Sequence, residues 1–178
     1  MAPLTDVQIP PAVDPARRIR VALAGNPNSG KTSIFNALTG ARRNVGNYPG
    51  VTVEKRVGEH RPAGSPVTLE ILDLPGTYSL SAFSPEERIA EQELTTGTFD
   101  VVVVVVDSLA LKRSLVLLTQ VMMTGARPVL ALNMSDEAER AGLRLDVAHM
   151  AVLLGIPVVQ TVGRDGRGLK ELAAAVLV

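Results

Sequence analysis

The 178-residue chain has no cysteine, so neither a disulfide nor a thiolate metal site can form. That fits a reducing compartment. It has no tryptophan, and aromatics make up 3% of it. Stacking platforms for single-stranded nucleic acid are therefore not expected. No charge of one sign dominates: eighteen basic residues stand against eighteen acidic ones. A nucleic-acid surface normally needs a basic excess, so no nucleic-acid partner is expected. A spanning helix needs ~20 apolar residues; the longest apolar run, VVVVVV at 101–106, falls far short. The N-terminal stretch MAPLTDVQIPPAVDPARR lacks a signal-peptide core. Its prolines and lack of periodicity predict a flexible arm over 1–18.

What remains is 46% apolar, enough for one core, and its length suits one domain. From Ile19 a pattern sets in. IRVALA (19–24) reads as a strand, and Lys31 to Leu38 as a helix closed by Gly40. The stretch 41–50 has no apolar period and reads as a long loop. Residues 51–60 and 67–73 alternate like paired strands across a turn. SPEE at 84–87 marks a helix start: Ser84 caps, Pro85 opens the helix and Glu87 completes a capping box. Strand and helix then alternate: strands at 100–106, 127–133 and 157–161, helices at 109–124, from Asp146 to Leu154, and at 168–177. Strands apolar on both faces belong in a parallel sheet covered on each side.

Three motifs carry chemistry. GNPNSGKT, Gly25 to Thr32, matches G-x-x-x-x-G-K-[ST] between a strand and a helix. Residues Gly25, Asn26, Pro27, Asn28, Ser29 and Gly30 to Ser33 frame a phosphate cradle at a helix N-terminus, with backbone amides from all but Pro27 as donors. Lys31 is expected to reach the β- and γ-phosphates, and the Thr32 hydroxyl to ligate Mg²⁺. DLPG (73–76) follows a strand; Asp73 is placed to hold Mg²⁺ through water, and Gly76 leaves room for its amide beside the γ-phosphate. Alone, DLPG would read as a strand end and a turn. In NMSD (133–136), the Asp136 carboxylate suits the donor pair of guanine while Asn133 braces the loop. Without the other motifs, Asp136 would read as a helix N-cap.

In this order the motifs resemble the small GTPase superfamily. NVGNYPGVTVE (44–54), DLPGTYSL (73–80) and Met134, where Ras-like proteins usually have Lys, are similar to the cytoplasmic G domain of the FeoB ferrous-iron transport family. The resemblance covers 19–178. It implies a three-layer α/β P-loop GTPase fold, with a mostly parallel six-stranded sheet, one antiparallel edge strand, and helices on both faces. It implies switch I at 42–54, with Thr52 meeting Mg²⁺ and the γ-phosphate, and switch II at 75–84. It also implies GTP and GDP as ligands and the membrane channel of the same transporter as partner. The chain then corresponds to the cytoplasmic domain of an inner-membrane protein, soluble as this piece, without the family's spacer and membrane domains.

Two departures from Ras-like patterns matter. Thr161, Val162 and Gly163 occupy the base-contacting loop, with Val162 where a serine would brace it. Gly163 still offers an amide to guanine O6, and relaxed nucleotide selectivity is expected. After DLPG come Thr77 and Tyr78 instead of a water-orienting Gln, so slow hydrolysis is expected. Positive charge must then come from elsewhere. From the motif alone, Asn28 reads equally as a turn residue or as a ligand of a monovalent cation. The resemblance favours K⁺, held by Asn28 and by backbone carbonyls around Gly46 and Tyr48. Two other functions stay open: a nucleotide-binding module with negligible hydrolysis, and a ribosome- or RNA-associated GTPase. His60, His149, the Arg42–Arg43 pair and the Glu87/Glu91 face read as packing or solvated residues, and Met122 and Met123 as gap fillers.

Overall fold

The six valines 101–106 are all buried and form β5 (Val101–Asp107). A strand sends alternate side chains to opposite faces, and these valines divide that way. Val101, Val103 and Val105 pack with Ile34 and Phe35 of α1 (Lys31–Thr39) and with Leu172 and Val176 of α6 (Leu169–Leu177). Val102, Val104 and Val106 pack with Leu94 of α2 (Pro85–Thr96) and with Leu117, Leu118 and Val121 of α3 (Leu111–Met122). One strand thus serves two cores, which makes the molecule three layers deep. A computed structural model describes residues 17–81 and 83–178; residues 1–16 of the expected arm lie outside the described residues.

The remaining strands are β1 (Arg18–Gly25), β2 (Arg43–Asn47), β3 (Glu54–His60), β4 (Thr68–Asp73), β6 (Arg127–Asn133) and β7 (Val158–Gln160). Two short helices, α4 (Ser135–Arg140) and α5 (Val147–Leu154), follow β6. Strand order is β2-β3-β4-β1-β5-β6-β7. The pairs β4–β1, β1–β5, β5–β6 and β6–β7 are parallel, while β2–β3 and β3–β4 are antiparallel. The expected fold class stands, with one strand more than the six expected, and the antiparallel strand, β3, lies second from the edge because β2 pairs outside it. Residues 43–47 of the presumed loop pair with β3, from Arg43 opposite Gly58 to Asn47 opposite Glu54. All five are exposed, so no apolar alternation marked them. Arg18, assigned to the arm, opens β1. Among the described residues no helix is long and apolar enough to cross a membrane.

Helix ends follow local chemistry. The α2 capping box is complete: Ser84 Oγ accepts from the Glu87 amide at 3.1 Å, and Glu87 Oε2 accepts from the Ser84 amide at 3.3 Å. Asp146 caps α5 through the His149 amide at 2.9 Å. His60 Nδ1 lies 2.8 Å from the Leu38 carbonyl, a packing contact. The chain leaves β1 between β4 and β5, where successive connections turn to opposite sides of the sheet. In an open α/β sheet, ligands bind in the crevice outside the carboxyl ends at such a point.

Candidate nucleotide site

The loop 25–30 bridges the end of β1 and the start of α1. Gly30 has φ 87°, and a Cβ on it would stand 2.1 Å from Asn133 Nδ2, so only glycine fits. Lys31 opens α1 and is buried at 7% exposure. Burial lowers its pKa, and the nearby Asp73 carboxylate only partly opposes that. Thr32 Oγ1 donates to Asp73 Oδ2 at 2.9 Å. Burial raises the Asp73 pKa, while the Thr32 hydrogen bond, Lys31 and Arg56 pull it down. Asp73 Oδ1 is buried with no hydrogen-bond partner. A hydroxyl beside a carboxylate with a spare buried oxygen is the donor set of a hard cation, so these residues fit Mg²⁺.

The segment after β4 continues along the P-loop. The Leu74 amide donates to the Leu23 carbonyl, and the Thr77 amide to the Gly25 carbonyl, both at 3.1 Å. Gly76 lies against Pro27; a Cβ there would stand 3.0 Å from the Pro27 Cα, N and Cγ. Asn26 Nδ2 donates to Ser114 Oγ at 3.0 Å, fixing the loop to α3. Helix α3 also holds the segment expected to be switch II: Gln120 Oε1 accepts from the Leu80 amide at 2.7 Å, and the Arg113 guanidinium lies 3.9 Å over the Tyr78 ring. Nothing in the sequence flagged Arg113 or Gln120, since their partners are distant along the chain.

Asn28 has φ 66°, a left-handed conformation that asparagine tolerates, so the turn reading is realised. It lines a cavity of about 230 Å³ with Pro27, Tyr78, Asp107 and Arg113. The lining includes neither Gly46 nor Tyr48. Gly46 sits in β2 opposite Lys55. The Tyr48 carbonyl accepts from the Val51 amide at 3.3 Å, and the Tyr48 amide donates to the Val53 carbonyl at 2.9 Å. The Tyr48 ring is buried, with the Lys55 ammonium 5.0 Å from its centre. Burial, then Glu93 and Asp73, push the Tyr48 pKa up. Thr52 is exposed in the bend before β3. Asn28 therefore does not share that cavity with Gly46 or Tyr48 in this conformation.

The second half of the site is built on Asn133, 2% exposed at the end of β6. Its Nδ2 donates to the Ser29 carbonyl at 2.9 Å. Its Oδ1 accepts from Thr161 Oγ1 at 3.2 Å and from the Gly163 amide at 2.9 Å. One side chain therefore ties the P-loop to the base loop. The bracing hydroxyl that Val162 lacks is supplied by Thr161, while Val162 is buried as packing. The Gly163 amide, expected to meet guanine O6, is used internally. The Thr161 hydroxyl was visible in the sequence; its partner was not. Met134 has φ 57° and is the N-cap of α4, which displaces the capping alternative for Asp136. Gly30, Ser33, Asn133, Met134, Asp136 and Gly163 line a cavity of about 210 Å³. Asp136 Oδ2 accepts from Arg140 Nη2 at 2.7 Å and from Arg164.

Comparison with known proteins places this geometry. The family model for ferrous iron transport protein B matches residues 19–176. The Fe(2+) transport protein A/Fe(2+) transporter FeoB fusion protein of Porphyromonas gingivalis is 53% identical over 155 residues, covering 86% of this chain and 18% of that protein. The chain belongs to the FeoB family. The crystal structure of the G domain of the T. maritima FeoB iron transporter superposes with a TM-score of 0.84 at 43% identity, over 90% of this chain and 98% of that one. The T. maritima FeoB cytosolic domain in a GDP form gives a TM-score of 0.85 at 44% identity, over 90% of this chain and 63% of that one. The chain spans about a fifth of the length of the curated FeoB relatives it matches. The FeoB match begins at Ile19 in β1 and ends at Val176 in α6.

Proposed function

We propose that this FeoB G domain binds GTP and GDP with Mg²⁺, hydrolyses GTP slowly, and acts as the cytoplasmic switch of a ferrous-iron transporter of the inner membrane. The observation that carries the reading is the pairing of two half-sites across one loop. Lys31, Thr32 and Asp73 gather a charge-neutralising set at the phosphate end, and Asn133 fastens the same loop to the cavity that contains Asp136. A relative of 44% identity was crystallised in a GDP form, which agrees.

Each residue has a task in this reading. The loop amides and the Lys31 ammonium bind phosphate oxygens; burial lowers the ammonium's pKa, and a phosphate partner favours its charged form. Thr32 and Asp73 would hold Mg²⁺, which when bound neutralises charge on the phosphates. Gly76 sets how near its amide approaches the P-loop. Thr52 joins the site only if the bend before β3 closes, a change of the switch type. The Tyr78 ring lies under Arg113, and no carboxamide follows Gly76 to orient a water, which supports slow turnover. K⁺ stimulation, with Asn28 and the carbonyls around Gly46 and Tyr48 as ligands, would need these groups to meet when the segment before β3 closes.

The test is single-turnover phosphate release from GTP, ATP and ITP, with Mg²⁺ and in K⁺, Na⁺ or Li⁺. Slow, Mg²⁺-dependent release from GTP supports the enzyme; binding without release supports a regulatory module. Equal rates in all three alkali cations, or an Asn28→Ala variant that keeps its K⁺ response, dismiss the cation role. Strict rejection of ATP dismisses relaxed selectivity. No affinity for any nucleoside triphosphate refutes the whole reading.

A further inference from the structure

Asp136 has two carboxylate oxygens, and guanine presents two donors to it. In this structure Oδ2 is already taken twice. Arg140 reaches it from one turn along α4, at 2.7 Å, and also donates to the Asp136 carbonyl at 3.2 Å. That pair belongs to the helix itself. Arg164 differs, because it comes from the base loop, on the other wall of the 210 Å³ cavity. Its Nη2 hydrogen-bonds Asp136 Oδ2, and its Nη1 stands 3.7 Å from Glu137 Oε1. The carboxylate is largely covered, with a side-chain exposure of 13%. The charge-assisted bond is thus partly shielded from water, and such bonds are stronger than neutral ones.

We propose that Arg164 is a specificity-setting latch on Asp136, competing with guanine for its carboxylate until a guanine nucleotide displaces it. The inference rests on the guanine-nucleotide reading above. Guanine replaces the guanidinium hydrogen bond with its own N1 and N2 donors. Adenine lacks that donor pair and draws no such exchange from Asp136. The latch therefore weighs on guanine association without being part of the phosphate site. Gly166 and Gly168, with φ of 85° and 75°, turn the loop on either side of Arg167, and the Val162–Arg167 backbone bridge closes its base, so release of Arg164 needs only its side chain to swing away. Arg167 lies 3.9 Å from Glu139 and makes a second tie between loop and α4 that does not involve Asp136.

The experiment is stopped-flow binding of fluorescent GDP and ADP to the whole chain carrying Arg164→Ala, Arg164→Lys or Arg167→Ala, each checked for folding by circular dichroism. Arg164→Ala is expected to tighten GDP binding about two- to fivefold, the size of an ion pair at the edge of exposure, mainly through faster association. Arg164→Lys is expected to fall between Ala and the native protein, since lysine keeps the charge but loses the planar fork. ADP binding and the Arg167→Ala variant are expected to stay unchanged. Weaker or unaltered GDP binding in Arg164→Ala overturns the latch. Equal tightening in Arg167→Ala also overturns it, because general loosening of the loop would then be the cause. If the native protein binds no GDP, the nucleotide reading itself has failed. If it binds and only the variants disagree, that reading survives and the latch alone is lost.

Discussion

Replacing Asn133 with alanine tests whether this residue is a structural knot or only a base-contacting group. The side chain makes three hydrogen bonds to groups far away in the chain: the Ser29 carbonyl, the Thr161 hydroxyl and the Gly163 amide. Asn133 and Thr161 are buried. Each bond contributes ~1 kcal/mol net, and a buried group left unpaired costs ~1–3 kcal/mol. Partial relaxation of the surface-facing base loop lowers the sum, so about 3 kcal/mol is expected from these terms. For a domain of this length, that corresponds to a fall in Tm of about 6–12 °C. The assay is thermal unfolding followed by circular dichroism without nucleotide, because ligand would add its own stabilisation. A Thr161→Val variant and the double variant complete a cycle, and their effects are expected to be non-additive by ~0.5–3 kcal/mol. A nucleotide-free Asn133→Ala protein that melts within ~2 °C of the native one, while losing GDP affinity, refutes the reasoning. Asn133 would then serve the base and not the fold.

Other outcomes follow from single sites. Lys31 has a folded pKa below the 10.5 of the free side chain, so between those values the unfolded chain holds a proton that the folded one has released. Stability of the nucleotide-free protein is therefore expected to rise as pH climbs through that window. In urea titrations the rise should vanish in Lys31→Met, which is also expected to lose nucleotide binding. Ser84→Ala removes the α2 cap and is expected to cost ~1 kcal/mol, read by denaturation and by faster hydrogen exchange over 83–90. Gly76→Ala sets a Cβ 3.0 Å from Pro27 and forces switch II outward. GDP affinity should hold while GTP hydrolysis falls about tenfold, on the scale expected of a sub-ångström misplacement.

Much of this protein was legible along the chain, because its strongest signals are local. The P-loop, DLPG and NMSD work through residues at fixed spacing, each at a strand end, and their order suffices to place them. The valine run marked a strand buried on both faces, and SPEE marked a capped helix, since burial by period and capping within one turn need no distant partner. The edge strand β2 was hidden for the opposite reason. Its five residues are exposed and carry no pattern, so only hydrogen bonding to β3 makes them a strand. The base loop was half read: Thr161 was in view, but its hydroxyl gained its meaning from Asn133, which lies 28 residues earlier. Arg113 over Tyr78 and Arg164 on Asp136 were beyond reach, because a solvated arginine and a latching one look alike until a fold brings an aromatic ring or a carboxylate beside it. The sequence alone determined the chemistry that backbone and nearest neighbours can perform. Which charged side chains meet across elements, and so what holds the segments after β4 and β7, was decided only by the sheet order that brings distant strand ends to one edge.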